Sequence, residues 1–171
     1  MKTKFEGKVW VIQRDGKLID DIDTDMIYHN SHLAITDIKQ MGQYSFGNLK
    51  GYENFAKESK PGDIVIVGQN FGSGSSRQQA IDCFKSLGTG AILAKSIGAI
   101  SKRNAINSGF PIFTFESLDL SGIKTGDTIT VDIQALTVIH AGKQIGKLDP
   151  VSKVQMDILE AGDVFAYAKK L

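Results

Sequence analysis

The chain has 171 residues, of which 42% are hydrophobic and 23% charged, and its formal net charge is +1. That length suits one domain, or one domain with an embellishment, and the apolar share is enough to form a core. The near-neutral balance gives no electrostatic case for nucleic acid or an anionic membrane, and no apolar run approaches the roughly 20 residues that span a bilayer.

The N-terminal MKTKFEGKVW is basic but lacks the apolar stretch of a secretion signal, so a cytoplasmic protein is expected. Lys8 to Ile12 reads as the first strand, with Trp10 as a core or edge anchor. A turn at Arg14-Asp15-Gly16-Lys17 leads to an acidic cluster, Asp20, Asp21, Asp23 and Asp25. The cluster lacks the glycine and glutamate of an EF-hand loop. Its plain reading is a solvated turn in which Asp and Thr side chains cap backbone N–H groups. The alternative is that one carboxylate turns inward to orient an arginine or a serine. His29 to Lys60 is the least regular segment, a loop with short helical pieces that is long enough to be functional.

Ile64 to Val67 is a β-branched run bounded by Pro61-Gly62 and Gly68, which reads as a buried strand. The turn Gly72-Ser73-Gly74-Ser75-Ser76 follows. Ala80, Ile81, Cys83, Phe84 and Leu87 then recur at helical spacing, and Gly88 stands where a C-cap glycine belongs. Strand, glycine-rich turn and helix together aim free N–H groups and a helix dipole at one point. Arg77, expected in the first helical turn, adds a planar fork of donors. A carboxylate or a phosphate should bind there. A bare N-cap role for Ser75 or Ser76 is the plainer alternative. The stretch is neither a P-loop nor a dinucleotide fingerprint. Cys83 is the single cysteine and is expected to be a buried, inert thiol; alone it cannot hold an iron–sulfur cluster. No metal-ligand spacing is found among His29, His32 and His140.

Ala91 to Ala94 reads as another buried strand, Ser96 to Gly109 as a short helix, and Pro111 to Phe115 as a strand. Lys124 to Asp127 is a turn. Thr128 to Ile133 and Leu136 to His140 alternate as an antiparallel pair, followed by a strand near Gln144 to Leu148. Val154 to Leu159 begins a C-terminal helix, interrupted or capped at Gly162, and Ala166 to Leu171 closes the chain. The sum is an α/β protein in three layers, parallel first and antiparallel near the end, with the glycine-serine turn at the carboxyl end of a strand.

Gln69-Asn70-Phe71-Gly72-Ser73-Gly74-Ser75-Ser76-Arg77, with Asp23-Thr24-Asp25 upstream and Arg103-Asn104-Ala105-Ile106-Asn107-Ser108-Gly109 downstream, resembles the small subunits of isopropylmalate dehydratases. These form the swivelling domain of the aconitase superfamily. The resemblance runs from about Lys8 to Phe115. It implies a three-layer swivelling β/β/α domain over residues 1–171, and a separate large subunit that holds a four-iron four-sulfur cluster. This chain itself would bind no cofactor and no metal. The implied reaction is reversible dehydration and rehydration of a hydroxy dicarboxylic acid, in leucine biosynthesis, by a heterodimer; a homo-oligomer of the isolated chain stays open.

By the same resemblance Ser75 is the general base, Ser76 contributes from the helix N-terminus, Arg77 grips a substrate carboxylate and Asp25 supports the site. Asp23, Thr24, Gly72, Gly74, Arg103, Asn104 and Asn107 are structural residues near it. Substrate choice falls to the 29–60 region, and within it to His32, Leu33, Ala34, Ile35 and Thr36. This stretch has no arginine for an additional carboxylate, and its apolar character favours a branched alkyl group. Gln78 and Gln79 stand where relatives often have Glu and then His or Ser, and Ser96-Ile97-Gly98-Ala99 replaces a frequent Ser-Phe-Ala-Arg. Those departures leave open a sister activity on dimethylmalate, citramalate (methylmalate) or homoaconitate, and a non-catalytic anion-binding module.

Overall fold

The computed structural model describes residues 2–171. Strand β1 (Lys4–Val11) leads to a small hairpin, β2 (Gln13–Arg14) and β3 (Lys17–Leu18). Helix α1 (Thr24–Ile27) opens the irregular region, which continues through 3-10 turns at Asn30–His32, Ile38–Gln40 and Gly42–Tyr44 to α2 (Phe55–Glu58). Then come β4 (Ile64–Val67), α3 (Gln79–Leu87), β5 (Ala91–Ala94), α4 (Ala99–Asn107) and β6 (Ile112–Leu118). Strands β7 (Thr128–Asp132), β8 (Thr137–His140) and β9 (Lys143–Leu148) precede α5 (Lys153–Ala161) and α6 (Val164–Ala168).

The strands close into a barrel in the order β1-β4-β5-β6-β9-β8-β7. Pairing of β1, β4, β5 and β6 is parallel, and β7, β8 and β9 pair antiparallel. Side chains alternate between the faces of a strand. Ile64 and Ile66 of β4 therefore face the barrel interior with Val131, Val138 and Leu148. Val65 and Val67 face the opposite way, onto Ala80, Ile81, Cys83 and Phe84 of α3. The result is the expected β/β/α layering, with a core on each side of the parallel wall. All four residues of β4 are buried, and each such Val or Ile contributes about 1.5–3 kcal/mol over an exposed one.

Two strands are longer than their apolar runs suggest. In β1, Lys4 to Lys8 pair with β7 while Val9 to Val11 pair with β4. In β6, Ile112 to Thr114 pair with β5, and a bulge between Phe115 and Ser117 turns the strand onto β9. These two strands are the seams that join the walls. The β1 seam also carries Trp10 as an anchor: its indole N–H donates to Asp63 at 2.9 Å and its ring meets Phe55 edge-on.

The 29–60 segment is pinned by side chains of its own. Met41, Phe46, Leu49 and Phe55 are buried in the helix-side core. Helix α3 ends on Gly88 in the left-handed region, φ +73°, as its position implied. Its start differs from expectation. The first helical residue is Gln79, so Arg77 stands just ahead of the helix, where its carbonyl accepts from Ala80 N–H at 3.0 Å. Among the described residues no helix is long and apolar enough to cross a membrane.

Candidate active site

Three turns lie side by side at the carboxyl end of the parallel wall, sewn together by backbone hydrogen bonds. The Asn70–Gly74 turn binds the acidic turn through Gly72 N–H to Ile22 O (2.7 Å) and Thr24 N–H to Ser73 O (2.8 Å). On its other side, Phe71 N–H donates to Ser96 O (3.1 Å) and Gly98 N–H to Phe71 O (2.8 Å). Gly72 sits at φ +76°, and Ser101 Oγ donates to its carbonyl at 2.5 Å. A Cβ on residue 72 would lie 2.6 Å from Ser101 Oγ, so both the backbone angle and the close approach require glycine. Ile97 supplies backbone pairing to Phe71 and packs on the helix-side core, which gives the altered Ser96-Ile97-Gly98-Ala99 stretch its local job.

The acidic cluster is mostly the capping turn of the plainer reading. Asp20 accepts from Gln69 N–H at 2.7 Å, Asp21 from the Asn70 amide at 3.0 Å, and Asp23 caps α1 by accepting from Met26 N–H at 2.8 Å. Thr24 is buried beneath Gly74. Asp25 is the carboxylate that reaches an arginine: Arg77 Nη1 donates to its Oδ1 at 3.2 Å and to the Tyr28 carbonyl at 2.8 Å. Asn30 N–H also donates to Oδ1 (2.9 Å), and the Asn48 amide donates to Oδ2 (3.2 Å). The Asn30 hydrogen bond, helped by Arg77 and by nearby His29, holds the Asp25 carboxyl below its ordinary value against the opposing effect of burial.

Arg77 is thus held through one nitrogen, with its side chain only 11% exposed. A guanidinium has five N–H donors, so Nη2 and Nε keep donors for an anion. Ser75 and Ser76 are exposed beside it. Among the described residues, the N–H groups of Gly74 to Gln78 donate to no protein acceptor. The ledge therefore offers fixed positive charge, free amides and two hydroxyls.

Other expected residues stand apart. Asn104 and Asn107 line a separate groove of about 410 Å³ with Ile38, Gln78 and Phe165. Arg103 is exposed on α4. In the selectivity stretch, Leu33, Ala34 and Thr36 are exposed, while His32 and Ile35 are half-buried. The His32 ring stacks on Tyr44 with centroids 3.7 Å apart. Sequence reasoning missed Tyr28, Asn30 and Asn48. Tyr28 and Asn30 act on the Arg77–Asp25 pair through backbone atoms, which leave no residue-type signal. Asn48 is polar but 23 positions from Asp25. Among the described residues no group of three or more His, Cys, Asp or Glu side chains is placed to hold a metal ion.

Residues 14–117 match the aconitase C-terminal domain family. The chain belongs to that family. Among its relatives is the 3-isopropylmalate dehydratase small subunit of Lachnospira eligens, 39% identical over 100% of this chain and 98% of the relative. The methanogen homoaconitase small subunit of Methanocaldococcus jannaschii is 36% identical over 92% of this chain and 90% of the relative. A crystal structure described as 3-isopropylmalate dehydratase from Methanocaldococcus jannaschii superposes with a TM-score of 0.82 at 33% identity, covering 98% of this chain and 94% of that one. The family resemblance carried by the turn motifs therefore holds, and the barrel is the fold of this family member.

Proposed function

We propose that this chain is the small subunit of a two-chain hydro-lyase that interconverts 2-isopropylmalate and 3-isopropylmalate by dehydration and rehydration, in the leucine pathway. The observation that carries the reading is Arg77, held by Asp25 and the Tyr28 carbonyl with donors to spare, beside the exposed Ser75-Ser76 ledge. Arg77 grips one substrate carboxylate. Ser75 Oγ takes the proton from the substrate carbon, and loss of hydroxide from the neighbouring carbon leaves isopropylmaleate. Water then adds back with the hydroxyl on the other carbon. A serine hydroxyl is a poor base at neutral pH. Free amides and Arg77 stabilise its anion. Ser76 adds a second hydroxyl at the same ledge.

This chain's own residues do not fit an iron–sulfur cluster, since its single cysteine, Cys83, is fully buried with Sγ against the Ala80 carbonyl. In this reading the cluster belongs to a large subunit that docks over the exposed ledge, in the cytoplasm. Splitting the site between two chains makes their positioning a large catalytic factor. The 29–60 region selects the substrate. It contains no arginine, and Leu33 and Ile35 present an apolar surface. An additional carboxylate would find no arginine fork there, whereas an isopropyl group would find Leu33 and Ile35. Homoaconitate is the second reading, favoured by the homoaconitase relative and by the imidazole of His32 in the selecting stretch.

The test is anaerobic reconstitution with the cluster-bearing large subunit, following consumption of isopropylmaleate, citraconate, dimethylmaleate and homoaconitate. Turnover of isopropylmaleate, abolished by Ser75→Ala without loss of the complex, is expected. Turnover of homoaconitate alone would move the chain to the second reading. Retained activity in Ser75→Ala would remove the serine from its role.

A further inference from the structure

The Arg77 side chain and the selectivity stretch are joined by a closed ring of hydrogen bonds. Arg77 donates to the Tyr28 carbonyl at 2.8 Å. The hydroxyl of the same Tyr28 donates to the His32 carbonyl at 2.9 Å. The next carbonyl, Leu33, accepts from the Gln79 side-chain amide at 3.3 Å. Gln79 is the first residue of α3, two positions after Arg77, and so returns the ring to its start. Tyr28 is fully buried, and its ring meets those of His32 and Tyr44 edge-on, at 6.0 and 6.2 Å. Burial raises its phenol above the ordinary value, so the hydroxyl remains a donor.

We infer that Tyr28 and Gln79 are positioning residues that fix the distance between the carboxylate-gripping Arg77 and the wall that reads the substrate's alkyl group. A hydroxy dicarboxylate held by one carboxylate is measured by how far the opposing wall stands from that anchor. The wall here is the backbone of residues 32–36, which the segment's own 3-10 turns do not tie to Arg77. The two tethers do, one on each of two consecutive carbonyls. Neither residue touches substrate, and neither is replaceable by shape alone: Tyr28→Phe keeps the ring and Gln79→Leu keeps the bulk, yet each deletes the donor. The selecting role rests on the hydro-lyase reading above; the tethers themselves do not.

The experiment uses the full chain carrying Tyr28→Phe, Gln79→Leu or both. In the chain alone, amide hydrogen exchange at His32, Leu33 and Ile35, the hydrogen-bonded amides of the stretch, should quicken about tenfold in each single variant, while the α3 amides stay unchanged. In the reconstituted enzyme, preference for isopropylmaleate over citraconate should fall about three- to tenfold through KM, with kcat within about twofold of the parent. Unchanged exchange would show that the tethers hold nothing. Faster exchange with intact selectivity would place selection elsewhere and sink the inference while leaving the hydro-lyase reading in place. A parent enzyme silent on all substrates would sink the hydro-lyase reading instead, and the selecting role with it, whatever the exchange shows.

Discussion

Arg77 Nη1 and Asp25 Oδ1 stand 3.2 Å apart although 52 positions separate them in the chain. The contact ties the glycine-serine ledge to the acidic turn through Nη1 and leaves the donors of Nη2 and Nε outside it. Arg77→Lys keeps the charge but gathers its three donors on one nitrogen, so it loses the separate Nη2 and Nε donors that the proposed grip on a substrate carboxylate uses while Nη1 holds Asp25 and the Tyr28 carbonyl. In the reconstituted enzyme kcat/KM for isopropylmaleate should fall by about 10- to 150-fold, the scale of a lost charge-assisted hydrogen bond. Steady-state kinetics, with circular dichroism to confirm the fold, measures it.

Acid should loosen the same pair. The Asp25 carboxyl lies below its ordinary value of 3.8, first because Asn30 N–H donates to it. A carboxyl whose value is depressed by folding binds its proton less readily folded than unfolded. Its contribution is complete above 3.8 and is lost as the pH drops through the folded-state value. The Tm gap between the parent and Asp25→Asn should therefore hold steady from about pH 6 to about pH 5 and narrow as the pH falls below about 4. A gap that widens on acidification would contradict the assignment.

Gly72→Ala should be costly for two separable reasons. Its left-handed φ of +76° strains an alanine by about 1–3 kcal/mol, and the new methyl meets Ser101 Oγ at 2.6 Å and Cβ at 2.7 Å. Urea unfolding should show that Gly72→Ala costs less in a Ser101→Gly background than in the parent, the difference being the steric part and the remainder the backbone part.

Cys83 should be inert. Burial pushes its thiol up to about 12, so at about pH 8 only about one molecule in ten thousand carries a thiolate. Ellman's reagent should find no thiol in the native chain and one after denaturation. Rapid native labelling would mean that the helix-side core opens.

Much of this was legible in the chain. Ile64 to Val67 and Ala91 to Ala94 announced buried strands because they face a core on both sides, which makes them continuously apolar. The α3 periodicity and its Gly88 cap were equally plain, and the motif turns marked the family. The closure of the barrel was not legible. The outer halves of β1 and β6 include Lys4, Glu6, Lys8, Glu116 and Ser117, whose alternation is broken or polar because those halves have one solvated face. At the candidate site, residue types pointed to Asp25 and Arg77. The tether from Gln79 to Leu33 stayed hidden because its acceptor is a backbone carbonyl, and Gln79 read only as a departure from a pattern.

The seam strands carry a further consequence. A four-stranded parallel sheet has two raw edges, each a row of unsatisfied N–H and C=O groups that invites pairing with another chain. Here β7 and β9 bind the outer halves of β1 and β6, and the residues flanking them meet the parallel halves, through Val9 N–H to Asp127 O, Gly126 N–H to Val9 O and Asp149 N–H to Thr114 O. The antiparallel wall is in effect an insulator. Removing it while leaving the ledge and its helices intact should yield a protein that aggregates through its exposed strands before it loses any residue of the site.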